Sequence, residues 1–260
     1  MEPQGHAERL VGVNDVGKSG SARPRHAAVF GATGAIGAAL CQALARSGVE
    51  CIHAGSRSGQ APAHPAIRPF RFDLANEASI AAAAQAMREA PPELVIVASG
   101  VLTLEHGPGP EKSLRQIDPA SMAQVFAHNT IGPALVAKHL LPLLPRDRSS
   151  VFAVLSARVG SISDNRLGGW HSYRASKAAL NMLIRNFAIE QARTHPQSAV
   201  VGLHPGTVDS ALSAPFQSNL PAVQLTAPYA AAVHLLEVMW RLRPEDSGKV
   251  FDWRGKEIPA

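Results

Sequence analysis

Tyr173 and Lys177 lie four residues apart in the run "YRASKAALN". On a helix that spacing puts both side chains on one face. A phenol ordinarily gives up its proton near a pH of about 10. A neighbouring ammonium favours the phenolate and makes the tyrosine a general acid or base usable near neutrality. Ordinary surface helices contain such pairs too, so position matters. This pair follows the fifth strand of the chain, on the side where open α/β sheets place their ligands.

Two glycine runs suggest a second chemistry, phosphate binding. "GVNDVGKS" (12–19) fits the GxxxxGK(S/T) pattern of nucleotide phosphate loops. Such a loop works only between a strand and a helix. Here "ERLV" precedes it and "GSARPRH" follows, where Gly20 and Pro24 oppose a helix, so it reads as a chance match. "VFGATGAIG" (29–37) has the context the first run lacks. An apolar strand enters it, and the helical "AALCQALARSG" leaves it and closes at Gly48. Gly31 permits the tight turn, Gly34 or Ala35 permits close backbone approach, and Gly37 lets the helix pack near the strand. The helix N-terminus then faces a pyrophosphate. The spacing reads equally as GxxxAxG and as GxxGxxG.

Cofactor choice is legible after the second strand. A site specific for NAD places an acid at that strand's end, on the ribose 2′-hydroxyl. "ECIHAGSRSG" has none there, since Glu50 sits at the other end, and Ser56 and Arg57 follow instead. A guanidinium suits a 2′-phosphate through paired hydrogen bonds and stacking. The reading is NADP(H), held in part by Arg57.

These residues need a frame. Strands are expected at 26–30, 50–54, 93–98, 151–156, 199–204 and 249–253, with a weaker candidate, containing a proline, at 67–71. Helices are expected at 35–47, 76–89, 119–144, 173–194 and 226–243. Asp118 and Thr226 are read as helix caps. Alternating strands and helices with nearly continuous apolar strands predict an α/β fold: one doubly wound parallel sheet with helices on both faces. Residues 1–25 show no periodicity and read as a flexible arm, with one domain over 26–260. The irregular stretch 205–224 reads as a lid over the site.

Bulk properties narrow the partners. Of 260 residues, 46% are hydrophobic and 17% charged, which supplies a full core. No apolar run approaches the roughly 20 residues of a membrane span, and the first ten residues lack the apolar stretch of a secretory signal. The net charge of +5 is scattered among acids, which argues against nucleic acid. Cys41 and Cys51 show no metal or redox spacing, so free thiols in a reducing, cytoplasmic setting are expected. No metal site is expected.

The motifs "FGATGAIG", "VIVASGVL", "HNTIGP", "LSARVGSISDN", "YRASKAALN" and "LHPGTVDS" together resemble the short-chain dehydrogenase/reductase family over residues 26–260. The stretch "GSISDN" to "YRASKAALN", with "HPGTVDS", is most similar to its C-factor-like and sniffer-type carbonyl reductase branch. The resemblance implies a Rossmann fold, NAD(P) and a small carbonyl or alcohol substrate, and it leaves a homo-oligomer open. It also assigns roles. Gly31, Thr33, Ala35, Ile36 and Gly37 match the phosphate turn, and Asp73 the acid on the adenine amino group. Ala98, Ser99 and Gly100 stand where the family often has Asn-Ala-Gly. Pro205, Gly206 and Val208 match the segment that contacts the carboxamide, with Ser210 in place of the usual threonine. Asn129 matches the asparagine that retains a relay water, and Tyr173 and Lys177 match the catalytic pair. The serine departs from the pattern: where the family has Ser-Ser and uses the second, this chain has Ser156-Ala157. Ser156, Ser161 or neither then polarises the carbonyl. That departure keeps a rival open, a non-catalytic member that binds NAD(P) as a signalling or structural ligand.

Overall fold

The computed structural model describes residues 23–104, 107, 109–219 and 225–260. The phosphate-loop pattern at 12–19 and most of the expected arm lie outside these residues. Seven strands form one parallel sheet: β1 (His26–Phe30), β2 (Cys51–Ser56), β3 (Ile67–Arg71), β4 (Leu94–Val97), β5 (Ser150–Leu155), β6 (Ser198–His204) and β9 (Val250–Asp252). Their order across the sheet is β3-β2-β1-β4-β5-β6-β9. The chain winds outward from β1 to the β3 edge, then returns to lay β4 on the other side of β1. The crevice above the β1/β4 boundary is therefore a topological switch point, the ligand position of open α/β sheets.

The two-residue period of a strand feeds two cores. In β1, Ala27 and Val29 face one layer while Ala28 and Phe30 face the other. The first layer is covered by α1 (Ala35–Arg46) and α6 (Pro228–Met239), through Leu40, Leu44, Leu235 and Leu236. The second is covered by α2 (Glu77–Ala86), α4 (Gly132–Leu140) and α5 (His171–Gln191), through Ile80, Leu140, Leu180 and Ile184. Both faces are buried, which is why the strands read as continuous apolar runs.

The weak strand candidate at 67–71 is real. Its proline, Pro69, sits on the sheet's edge strand, where a missing amide costs no ladder bond. The expected long helix over 119–144 is segmented. An α-helix, α3 (Pro119–Phe126), passes into a π turn at Ala127–Ile131 before α4 begins. Pro133 has no amide to donate to the carbonyl of residue 129, which loosens the ladder at this turn. Asp118 caps α3 as expected, accepting from the Ser121 amide at 2.7 Å. Thr226 does not cap α6. It belongs to a two-stranded pair, β7 (Thr207–Val208) with β8 (Leu225–Thr226), and Ala227 takes the cap position. The stretch expected to be irregular thus carries one short strand and a 3₁₀ turn at Ala214–Asn219. Cys41 and Cys51 are free thiols.

Candidate functional site

The site is built where β1, β4 and β5 end. The turn after β1 is stitched to the end of β2, since the amides of Gly31 and Ala32 both donate to the Gly55 carbonyl, at 2.9 and 2.8 Å. Gly31 has φ 104°, and a Cβ there would meet the Ser99 hydroxyl at 2.6 Å. At Gly37 a Cβ would lie 2.0 Å from the Gly31 carbonyl oxygen, so helix and turn touch backbone to backbone. Gly34 differs: its nearest neighbour would be an ordinary 3.5 Å away and its φ is −69°. The protein's own packing therefore requires Gly31 and Gly37 and leaves Gly34 free, which favours GxxxAxG between the two spacings.

Gly34 is the cap residue of α1 and offers no side-chain acceptor, and no acid lies in the helix's first turn. The first-turn amides of a helix have no acceptor within it. Those of Ala35, Ile36 and Gly37 thus present a donor-lined, positive helix end, beside the exposed Thr33. Arg57 is exposed just beyond β2, next to the buried Ser56. Ser56 is held by its own turn, donating to the Gln60 carbonyl at 2.7 Å, and its carbonyl accepts from Phe72. That contact sets Asp73 beside the Arg57 turn. Asp73 is exposed and accepts from the Ala75 amide at 2.9 Å. On the other side, the Ala98 amide and the Ser99 hydroxyl donate to the Phe30 carbonyl.

Lys177, Asn129 and Gly100 converge at the floor. A Cβ on Gly100 would stand 3.2 Å from Asn129 Oδ1 and 3.5 Å from Lys177 Nζ. The π turn carries Asn129 inward, where it is fully buried. Its Oδ1 accepts from the Val101 amide and its Nδ2 donates to the Val101 carbonyl, both at 2.8 Å, and to the Ser176 hydroxyl at 3.1 Å. One side chain thereby ties the loop after β4 to α5. Lys177 is 3% exposed, and its Nζ donates to the Leu155 carbonyl at the end of β5, at 2.8 Å. The ammonium lies 5.9 Å from the centre of the Tyr173 ring. Burial brings Lys177 down to about 8 and pushes the Tyr173 phenol up to about 12.

The serine expectations meet a different geometry. The Ser156 hydroxyl donates to Asn181 Oδ1 at 2.6 Å. Ser161 donates to the Ala260 carbonyl at 3.5 Å and accepts from the Asp164 amide. Each hydroxyl thus has an acceptor of its own, and Ala157, which is buried, has no hydroxyl to offer. Further along, Val208 is buried, and Ser210 donates to its carbonyl at 3.2 Å. The turn at Pro205–Gly206 is backed by Trp253, which a Cβ on Gly206 would meet at 3.0 Å. Sequence reasoning missed Trp253, Ser176, Trp170 and Glu111. Trp170 alone had a signal, the Gly-Gly before it.

Among the described residues no group of three or more His, Cys, Asp or Glu side chains is placed to hold a metal ion. No helix among them is long and apolar enough to cross a membrane.

Known proteins share this fold. A family model described as short chain dehydrogenase matches residues 25–221. The C-signal protein of Myxococcus xanthus is 36% identical over 148 residues, 56% of this chain and 83% of its own. Among solved structures, an NADPH-bound carbonyl reductase from chicken fatty liver superposes with a TM-score of 0.79 at 25% identity, over 93% of this chain and 96% of its own. The carbonyl reductase Sniffer of D. melanogaster superposes with a TM-score of 0.78 over 91% and 99% of the two chains. At 18% identity it speaks for the fold alone.

Proposed function

The chain belongs to the short chain dehydrogenase family and is an oxidoreductase of it, and from that premise we propose that it reduces a small carbonyl compound with NADPH, Tyr173 giving the proton. The observation that carries this reading is the buried Lys177 ammonium 5.9 Å from the Tyr173 ring, at the strand ends beside Gly100 and Asn129.

The residues fit a dinucleotide. The unfilled amides of Ala35, Ile36 and Gly37 suit its pyrophosphate. Asp73 lies beside the Arg57 turn and suits the adenine amino group. Arg57 suits a 2′-phosphate, and the chicken carbonyl reductase, which shares the fold nearly end to end, holds NADPH. Ala98, Ser99, Gly100, Pro205, Gly206, Val208 and Ser210 would complete the walls. When bound, the nicotinamide supplies the hydride, which is the difficult chemistry.

The chain's own part is proton delivery. A phenol pushed up to about 12 keeps its proton at neutral pH, the form needed to protonate an oxygen as a carbonyl is reduced. Lys177 then stabilises the phenolate left behind. Both amide protons of Asn129 are taken by Val101 and Ser176. Its Oδ1 already accepts from the Val101 amide, so its main-chain carbonyl, to which Pro133 has no amide to donate, would hold a water that resupplies Tyr173. With Ser156 turned to Asn181, Tyr173 and Lys177 act without a serine on the carbonyl, at some loss of polarisation.

The same serine geometry favours one rival, an NADP(H)-binding protein without turnover, and the similarity to C-signal keeps it in view. A panel of aldehydes and ketones, followed by loss of NADPH absorbance with NADH in parallel, separates the two. We expect turnover with NADPH that Tyr173→Phe lowers by about 10²–10⁴-fold while NADPH binding is unchanged. Tight NADPH binding with no turnover on any carbonyl would instead establish the rival.

A further inference from the structure

We propose that Glu111 is a positioning residue for Tyr173: its carboxylate and its main-chain carbonyl clamp the first turn of α5 and so fix where the phenol stands. This rests on the reading of Tyr173 as the proton donor.

The helix that carries Tyr173 and Lys177 lacks a start of its own. Its cap residue, Trp170, provides no side-chain acceptor, and no acid lies in its first turn. Trp170 is also the one described non-glycine residue with positive φ, 49°, after Gly168 and Gly169 at 63° and 66°. Three consecutive left-handed residues bring the chain into the helix at an angle that local sequence does not stabilise. The missing acceptors come from a residue 61 positions earlier. The Glu111 carboxylate accepts from the Ser172 amide at 3.3 and 3.2 Å and from the Ser172 hydroxyl. The Glu111 carbonyl accepts from the Trp170 amide at 2.5 Å. The acid and its partner are both buried, at 8% and 3% exposure. Burial alone would raise the Glu111 carboxyl. The hydrogen bonds from the Ser172 hydroxyl and the backbone amides outweigh it and hold the group ionised, below the usual carboxylate range.

The contact falls next to the reacting group. Ser172 precedes Tyr173 directly, and the Trp170 ring meets the Tyr173 ring edge-on with centres 6.3 Å apart. Glu111 and Tyr173 also line one small cavity, with Leu102, Leu104, Pro110 and Val125. The clamp thus sets the height and tilt of the phenol over its floor. A misplacement of about 1 Å at such a group can cost roughly 10²-fold in rate.

The test compares Glu111→Ala with Glu111→Gln, whose amide oxygen can still accept from Ser172. The chain contains two tyrosines, Tyr173 and Tyr229, so tyrosine labelled with ¹³C only at Cζ gives two resonances, assigned with Tyr229→Phe. We expect Glu111→Ala to lower kcat by roughly 10- to 100-fold. NADPH affinity and KM should stay within about twofold, and the Tyr173 resonance should move while Tyr229 stays. Glu111→Gln should restore kcat to within about threefold, because the acceptor is kept. An alanine variant with the original kcat or an unmoved Tyr173 resonance overturns the proposal. So does a glutamine variant as impaired as alanine. If Glu111→Ala does not fold, Ser172→Ala removes only the hydroxyl donor and is read by the same signals. If the unmodified protein binds NADPH and reduces no carbonyl, the reductase reading fails by itself. The Tyr173 resonance of the apoprotein then decides for or against the clamp.

Discussion

Lys177 shows a cost of the site that is measurable without substrate. Its ordinary value is 10.5, and burial brings it to about 8 in the folded chain. Below about 8 the folded protein carries this buried charge at full cost, about 3 kcal/mol for a shift of this size. Between there and 10.5 the unfolded chain holds a proton that the folded chain has released, so the cost is relieved as pH rises. Lys177→Met should therefore stabilise the apoprotein near neutral pH, by roughly 1–3 kcal/mol after the lost bond to the Leu155 carbonyl. Its advantage in urea midpoint should shrink as pH rises above about 8. A margin that does not change with pH would contradict the burial account. Arg57 is the residue-scale test of cofactor choice. Arg57→Ala should weaken NADPH by about tenfold or more, the worth of a charge-assisted hydrogen bond, and leave NADH little changed. Equal dissociation constants for the two cofactors in the unmodified protein would remove that role.

At the scale of elements, the turn between β1 and α1 separates a required glycine from a permitted one. Gly37→Ala puts a methyl carbon 2.0 Å from a backbone oxygen that no side-chain rotation can clear. Moving α1 off the turn should cost about 1–3 kcal/mol and abolish tight NADPH binding. Gly34→Ala meets only ordinary contacts and should keep the fold with a Tm close to that of the parent. Thermal melts and a fluorescence titration of both variants check this, and equal damage from the two would refute it. Element boundaries show where local reading stops. The run 119–144 carries an unbroken helical pattern, yet its middle is a π turn. Pro133 permits that turn, and the fit of Asn129 between Val101 and Ser176 selects it. Thr226 is a good cap by type, but it is used in the short strand pair with Thr207–Val208.

For the whole molecule, the open question is the arm. The described fold begins with Arg23, whose guanidinium lies over the Trp240 ring and donates to the Ser47 carbonyl. Arg25 pairs with Glu50, and its amide with Glu93. These contacts tie the start of β1 to the sheet, so we propose that the folding unit needs nothing before them. A chain beginning at Arg23 should keep its Tm within roughly 3 °C, about 1 kcal/mol at this size, and bind NADPH as the full chain does. Loss of cofactor affinity on removing residues 1–22 would give those residues a part in the site.

The sequence by itself determined the layer architecture, because strand and helix periods are local: continuous apolar strands between helical runs admit one kind of sheet, buried on both faces. It also determined the Tyr173–Lys177 pair, whose spacing within one helix already implies its geometry, whereas packing decided which glycines of the turn after β1 are required. The direction of the Ser156 hydroxyl was beyond it, since that depends on Asn181, 25 residues later in α5. So was the clamp at Glu111, whose partner is 61 residues away and whose own neighbours, Pro110 and Lys112, give no hint of it. Periodicity and motif spacing report what a residue shares with its near neighbours along the chain. The acceptor that a buried hydroxyl finds, and the acid that caps a helix from another loop, are set only when the sheet brings distant segments within hydrogen-bond reach.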